Sequence, residues 1–380
     1  NCCDLLTDRS VCDTLKGNDG IIMYQDKKKY LWLMSSALPL VGTLGVLLFV
    51  EFKSAWLLVL PLLFIYVFIP VVDYLLPNDP SNPTESVVPE LEKQAYYSWI
   101  LYLMLPAHMV SFFYLLWALC HVDFSLWQQA VVLLTMGVFG GLAVNLGHEL
   151  GHKKNKQDKN LAKLALASSA YGHFNIEHNA GHHREVATPE DTASAKMNEP
   201  IYRFFWREWP GGLKRAWRIE NQRLARKGLP WWSKSNQILH SYAMTLLLGL
   251  LVFSLLGGWG VVYWLLHMPL VWWQLTSANY IEHYGLLRQK QDNGQYEKCQ
   301  PHHSWNSNHL FSNLVLFHLQ RHSDHHANPS RSYQSLRHFD DVPQLPTGYM
   351  GMFVLAYVPP LWFKVMNPKL TASAGELINQ

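Results

Sequence analysis

The sequence predicts an all-α integral membrane protein, with six transmembrane helices in three hairpins and a cytoplasmic, histidine-rich cap. Three observations predict this class. Six segments are apolar over about the 20 residues that a helix needs to cross a bilayer. Charged residues make up only 16% of the 380 residues, against roughly 25% in soluble domains. Sixteen Trp are present, and Trp is enriched where helices meet the membrane interface.

The six apolar segments pair into hairpins because the connections within each pair are short. These connections read "EFK", "CHVDFS" and "GGWG". Pro61 and Pro70 fall inside the second segment. In chain order the segments cover residues 30–52, 55–76, 99–121, 126–147, 239–256 and 261–280.

The distribution of Lys and Arg predicts the orientation, because cytoplasmic loops of membrane proteins carry an excess of both. Lys27, Lys28 and Lys29 precede the first segment, and about half of all 31 Lys and Arg lie within 148–235. Lys53, in the first short turn, is the exception. Both termini are therefore expected in the cytoplasm. The predicted sections are a cytoplasmic N-terminal segment (1–29), four helices (30–147) with a cytoplasmic linker (77–97), a cytoplasmic histidine-box section (148–235), two helices (239–280) and a cytoplasmic C-terminal cap (281–380).

Two further segments are predicted to lie along the membrane surface. "IYRFFWREWPGGLKRAWRIENQRLARKG" mixes aromatic residues with Arg and Lys at helical spacing, which is typical of an interfacial amphipathic helix. "FVLAYVPPLWFKVM" is too short and too rich in proline to span a bilayer. The net charge of +3 is too small to indicate a nucleic-acid partner, and the five cysteines show no metal-site spacing.

Nine of the nineteen histidines fall into four clusters. "HELGH" contributes two at i and i+4, which places both on one helix face. "EHNAGHH" contributes three, "NYIEHYG" contributes one at the end of the sixth segment, and "QRHSDHH" contributes three. The nine candidate metal ligands are His148, His152, His178, His182, His183, His283, His322, His325 and His326.

"HELGH" also matches the H-E-x-x-H pattern of zinc peptidases. A peptidase zinc takes three protein ligands, so that interpretation leaves most of the clustered histidines without a role. Nine imidazoles would serve two metal ions with four or five ligands each. Imidazole suits Fe, Cu, Zn and Ni, so spacing alone leaves the metal open. A site at the cytoplasmic ends of apolar helices favours redox chemistry on a lipid-dissolved substrate.

Together, "HELGHK", "EHNAGHH", "NYIEHYGL" and "LQRHSDHHA" resemble the motif set of the membrane alkane 1-monooxygenases, the alkane ω-hydroxylases, within the histidine-box hydroxylase and desaturase superfamily. The resemblance implies two non-haem irons held by the nine histidines. It also implies O₂, a linear alkane from membrane lipid, and a 1-alkanol product. It further implies a rubredoxin electron donor with an NAD(P)H-dependent reductase, and a bacterial inner membrane.

Two other functions stay open at this point. A membrane fatty-acyl desaturase or fatty-acid hydroxylase would share the iron chemistry but would need a polar pocket for the head of its substrate. A metal transporter would need ionisable residues at mid-span.

Metal-bound imidazoles usually donate their second N–H to a carboxylate or carbonyl. Supporting roles of this kind are expected for Glu149, Glu177, Asp191, Glu282, Asp324, His173 and His318. Gly137, Gly140 and Gly141 indicate close helix packing, or else room for a linear substrate. Substrate length must be selected sterically, and the expected candidates for the end of the channel are Trp56, Trp99, Trp117, Trp272 and Trp273.

Overall fold

The computed structural model describes residues 14–16 and 22–378. Helices dominate this part of the chain, as predicted. The all-α prediction misses one small element: the three-residue strands β1 (Thr14–Lys16) and β2 (Ile22–Tyr24) pair antiparallel. The helices are α1 (Trp32–Ala37), α2 (Val41–Phe52), α3 (Leu60–Leu63), α4 (Ile69–Leu75), α5 (Val88–Glu92), α6 (Ala95–His121), α7 (Leu126–Gly151), α8 (Lys156–Ala167), α9 (Phe174–Glu177), α10 (His183–Glu185), α11 (Ile201–Ala225), α12 (Gln237–His283), α13 (Leu310–Val315), α14 (His322–Ala327), α15 (Tyr349–Ala356) and α16 (Pro359–Ile378).

Five helical stretches of the described chain are long and apolar enough to cross a membrane. Short 3₁₀ turns join α1 and α2 into the stretch Lys29–Phe52, and 3₁₀ and π turns join α3 and α4 into Ala55–Leu75. The other three stretches are α6, α7 and α12. Each begins within a few residues of a predicted segment.

The fifth stretch contains both the fifth and sixth predicted segments. Its 47 residues would extend about 70 Å as one straight helix, far more than a bilayer requires. Gly257 interrupts it with non-helical backbone at φ 66°. The Trp264 ring packs against Gly249, fifteen residues earlier in the chain. The chain therefore turns back on itself at Gly257, where the sequence reads "GGWG".

Helix α7 is the most deeply buried of the five stretches. It begins at a capping box, in which the Ser125 backbone N–H donates to Gln128 Oε1 at 2.8 Å. Gly137 and Gly140 lie directly against Leu270 and Val271 of α12, with no room for an added Cβ. These two glycines therefore allow α7 and α12 to pack closely against each other.

Helix α11 packs its apolar face on α12. Trp209 stacks on Trp272 with ring centroids 4.6 Å apart, and Phe205 contacts Trp273 at 5.6 Å. Trp206, the next residue after Phe205, is exposed. These contacts fit the amphipathic character predicted for this segment.

Candidate metal centre

Two long helices carry histidines at the same end of the bundle. Helix α7 continues without a break from its apolar run through His148, and His152 follows as its C-cap. His283 is the last residue of α12. Because α12 packs against the glycine-lined face of α7, the two helix ends meet.

The other six histidines come from two short helical segments. His178 begins a π-helical turn that ends at His182, and α10 starts at His183. Isolated π turns often occur at functional sites. Helix α14 carries His322, His325 and His326 within six residues.

Eight of the nine histidines come together as two adjacent groups of four. We define the first group as His148, His152, His178 and His325, and the second group as His182, His283, His322 and His326. Within each group, the ligand nitrogens all lie within 4.8 Å of one another.

His183 lies at the boundary between the two groups. Its Nε2 is 3.1 Å from both His178 Nε2 and His325 Nε2, which are members of the first group. Its ring also contacts that of His326, at 4.5 Å between centroids. The arrangement therefore offers five imidazoles to one centre and four to the other.

The donor geometry fits metal cations. His148 Nε2 and His325 Nε2 are 3.0 Å apart, and His322 Nε2 and His326 Nε2 are also 3.0 Å apart. Two neutral imidazole nitrogens at that distance can share only one proton. A cation bound at about 2.0–2.1 Å from each nitrogen would satisfy both, with the nitrogens about 3 Å apart. His182 Nε2 is buried without a hydrogen-bond partner among the described residues, as expected of a metal-facing atom.

Burial favours the neutral form of His178, His322, His325 and His326. Desolvation, followed by repulsion from neighbouring imidazoles, lowers the pKa of His178, His322, His325 and His326 well below the ordinary value. Neutral imidazole is the form that binds metals, so the site is set up for cations rather than for acid–base chemistry by free histidines.

Asp191 supports the second group directly. His182 Nδ1 lies 2.9 Å from Asp191 Oδ2, which leaves Nε2 free to face the group. Ser194 Oγ also donates to Asp191 Oδ2 at 2.7 Å, and Arg215 Nη2 donates to Oδ1 at 2.7 Å. Burial alone would raise the pKa of Asp191, but the neighbouring His182 and Arg215 hold it well below its usual range.

Arg215 was not anticipated from the sequence. It is buried and donates to Glu177 as well as to Asp191, and its Nη1 lies 3.2 Å from Glu185. Burial raises the pKa of Glu177, and the guanidinium of Arg215 offsets only part of that rise. One cation on α11 thus links three carboxylates around the "EHNAGHH" segment, although nothing in the α11 sequence marks it.

The other expected supporting carboxylates occupy different positions. Glu149 Oε1 is 3.6 Å from His148 Nδ1. Glu282 Oε2 is 3.4 Å from His322 Nε2, so it lies beside the metal-facing nitrogen rather than beside Nδ1. Asp324 is paired with Arg331 at 2.7 Å.

His173 and His318 belong to neither group. His173 Nδ1 lies 3.1 Å from the Tyr242 hydroxyl. His318 Nε2 is 2.6 Å from Lys28 Nζ and 3.2 Å from Asp79 Oδ2. His318 therefore takes part in a separate buried polar cluster that joins the N-terminal segment to the linker.

An apolar internal cavity ends at the histidines. The cavity is narrow, with a volume of about 60 Å³. His148, His178 and His322 line one end, and Gly141 and Gln274 line its wall in the membrane-spanning part of the bundle. Most other lining side chains are aliphatic or aromatic. Of the described residues, none of the five tryptophans expected to end a channel borders this cavity.

Comparison with known proteins identifies the family. The family model described as fatty acid desaturase matches residues 125–356. The alkane 1-monooxygenase of Ectopseudomonas oleovorans is 49% identical over 94% of this chain and 89% of its own length. The chain belongs to the alkane 1-monooxygenase family.

Two further relatives widen the comparison. The alkane 1-monooxygenase 1 of Alcanivorax borkumensis is also 49% identical, over 94% of this chain and 88% of its own. The hydroxylase component of a xylene/toluene monooxygenase from Pseudomonas putida is 30% identical over 64% of this chain and 65% of its own. Membership in the alkane 1-monooxygenase family agrees with the resemblance carried by the four histidine motifs.

Proposed function

We propose that this chain hydroxylates the terminal methyl group of medium- to long-chain linear alkanes, using O₂ at a centre of two non-haem irons. One observation carries the proposal: two histidine groups meet at the end of an apolar cavity. The relatives named alkane 1-monooxygenase supply the substrate class and the reaction.

The nine histidines would hold the two irons. The first group together with His183 would bind one ion, and the second group would bind the other. Bound there, the irons would supply the redox chemistry that activates O₂. Asp191 would fix His182 with Nε2 toward the metal, since its carboxylate accepts the proton on Nδ1.

The cavity would supply selectivity. A substrate that arrives from lipid gains almost no hydrophobic free energy on entering an apolar cavity, because both surroundings are apolar. Selection must then come from shape. A narrow channel that ends at His148, His178 and His322 presents a linear chain by its end, so the terminal carbon is the one nearest the histidines.

Electrons would come from a reduced rubredoxin, which an NAD(P)H-dependent reductase would reduce in turn. His152 and His183 are the half-buried members of the nine, so the centre is least covered at these rings.

We place this side, both termini and residues 148–235 in the cytoplasm, on the strength of the Lys and Arg distribution. Six spans in three hairpins at a bacterial inner membrane follow if α12 crosses twice, which the reversal at Gly257 supports.

A fatty-acyl desaturase or fatty-acid hydroxylase is the second candidate, favoured by the match to the desaturase family model. Such an enzyme needs a polar pocket for an acyl headgroup. The cavity at the histidines is instead mostly apolar, which favours the alkane.

The test supplies the purified, iron-loaded enzyme with reduced rubredoxin, ¹⁸O₂ and a series of linear alkanes. The expected product is the 1-alkanol carrying ¹⁸O. An acyl thioester offered in parallel separates the two candidates. Desaturated or hydroxylated acyl product without alkanol would overturn the proposal.

A further inference from the structure

Asn145 is a buried polar residue beside the centre that the nine histidines do not explain. It lies on α7 three residues before His148, hence on the same helix face. Its side chain is only 6% exposed and borders the apolar cavity. Asparagine is costly at such a position unless both ends of its amide find hydrogen-bond partners.

Only one end of the Asn145 amide is satisfied. Nδ2 donates to the backbone carbonyl of Leu316 at 2.9 Å. A carbonyl oxygen can only accept, so this contact fixes which end of the amide is the NH₂ group. The other atom, Oδ1, is buried and has no hydrogen-bond donor among the described residues.

The surroundings of Oδ1 indicate what could donate to it. Leu142, Val144 and Leu319 line the cavity nearby and offer no donor. Glu282 Oε1 also lacks a donor, but the other oxygen of that carboxylate is already 3.4 Å from His322 Nε2. An alkane has no O–H group, whereas the primary alcohol formed from it has one.

We propose that Asn145 Oδ1 is the hydrogen-bond acceptor for the hydroxyl group of the 1-alkanol product. The inference rests on the proposed function, since it presumes that an alkyl chain occupies the cavity. The hydroxyl would be held one helical turn from His148 while the alkyl tail stays among the aliphatic residues. The site would then bind a primary alcohol more tightly than the alkane of equal length.

The experiment measures ligand binding to the oxidised, iron-loaded enzyme without an electron donor, so that no turnover occurs. Titrations of octane, 1-octanol and 1-fluorooctane are followed by the shift of the thermal unfolding midpoint. Fluorine resembles the hydroxyl in size but donates no hydrogen bond. We expect wild type to bind 1-octanol about fivefold more tightly than 1-fluorooctane, which is the typical net effect of one hydrogen bond.

Two variants locate the effect. Asn145→Leu should abolish the preference of 1-octanol over 1-fluorooctane. Gln274→Leu is the matched control, because it removes a different amide from the same cavity, one whose Oε1 accepts from the Tyr66 hydroxyl at 3.0 Å. It should change both affinities by one common factor. The ligands partition into detergent to the same extent with every variant. This partitioning therefore cancels when the ratio of the two affinities is compared between variants.

Equal binding of 1-octanol and 1-fluorooctane by wild type would overturn the inference even if Asn145→Leu does not fold. A preference that survives in Asn145→Leu, or disappears in Gln274→Leu, would also overturn it. If octane itself fails to bind, the proposed function fails as well. Octane binding with no alcohol preference would leave the proposed function standing and remove only the role of Asn145.

Discussion

His182 Nδ1 lies 2.9 Å from Asp191 Oδ2, and both side chains are buried. His182 is a member of the second histidine group, whereas Asp191 lies nine residues further along the chain. A carboxylate in this position fixes the tautomer and the orientation of the ring, and it raises the basicity of the nitrogen that faces the metal.

Asp191→Asn should therefore weaken metal binding without removing a ligand. We expect about 10- to 100-fold lower iron affinity, measured as iron retained against a graded series of chelator concentrations. Asp341→Asn, at an exposed position, is the control. Iron retention equal to wild type in Asp191→Asn would show that this contact does not support the metal site.

Arg215→Leu should destabilise the fold strongly. Its removal leaves Glu177 and Asp191 buried without their shared cation, and breaking a buried ion pair from one side costs about 3–5 kcal/mol. The thermal unfolding midpoint in detergent measures the effect. Arg218→Leu, an exposed arginine on the same helix, should change the midpoint little. Equal effects from the two substitutions would contradict the role assigned to the buried ion pairs.

Glu208 should make stability depend on pH. Burial raises its pKa from 4.5 to about 7, while Thr276 Oγ1 and Asn279 Nδ2 donate to it at 2.6 and 3.1 Å. The folded chain thus binds a proton here that the unfolded chain has released, so stability is lost as pH rises from about 4.5 through 7.

Glu208→Gln removes that proton linkage. The free energy of unfolding of the variant minus that of wild type should be larger at pH 8 than at pH 5, by about one to a few kcal/mol. Unfolding midpoints of both proteins at the two pH values measure it. A difference between variant and wild type that is the same at pH 5 and pH 8 would rule out titration of Glu208.

Gly141→Ala should shift chain-length preference toward shorter alkanes. Gly141 borders the cavity, and an added Cβ would lie 2.7 Å from Gln274 Cβ, so one of the two walls must move. Seven residues of helix separate Gly141 from His148, about 10 Å and roughly the length of an eight-carbon chain. Dodecane turnover should fall by more than octane turnover.

Gly137→Ala is the matched control for this prediction. Gly137 lies one turn away and packs on Leu270, but it does not border the cavity. It should perturb helix packing without changing the ratio of dodecane to octane turnover. If both glycine variants change that ratio equally, the effect comes from packing and not from the cavity.

The sequence predicted where the chain crosses the bilayer because hydropathy is a local property. It located the start of α6 four residues late, at 99 instead of Ala95, since Tyr96, Tyr97 and Ser98 in the first turn carry hydroxyl groups and lower its hydropathy. It also predicted a turn at "GGWG", where Gly257 breaks α12. The pairing of β1 with β2 was missed, because strands of three residues have almost no periodic signal.

The sequence singled out the nine histidines that the structure brings together. It did not predict how they divide into two groups. Spacing of i and i+4 picks out His148 with His152, and both belong to the first group. Spacing gives no reason why His183 lies beside the first group while its neighbour His182 belongs to the second. A π turn over His178–His182 changes the direction of successive side chains, and a sequence does not reveal such a turn.

Hydrogen bonds and ion pairs between residues far apart in the chain could not be predicted from the sequence, for a physical reason. Arg215 reaches Asp191 and Glu177 only because α11 folds back across the histidine segment. Asn145 donates to Leu316, 171 positions away in the chain. Contacts of this kind depend on tertiary packing, which local patterns do not encode.

The central claim is that four distant pieces of chain hold two irons by histidine nitrogen. Iron quantification combined with X-ray absorption at the iron edge tests it most directly. We predict about two irons per chain, each surrounded mainly by nitrogen, in keeping with the two histidine groups. One iron per chain, or coordination dominated by sulfur, would contradict it.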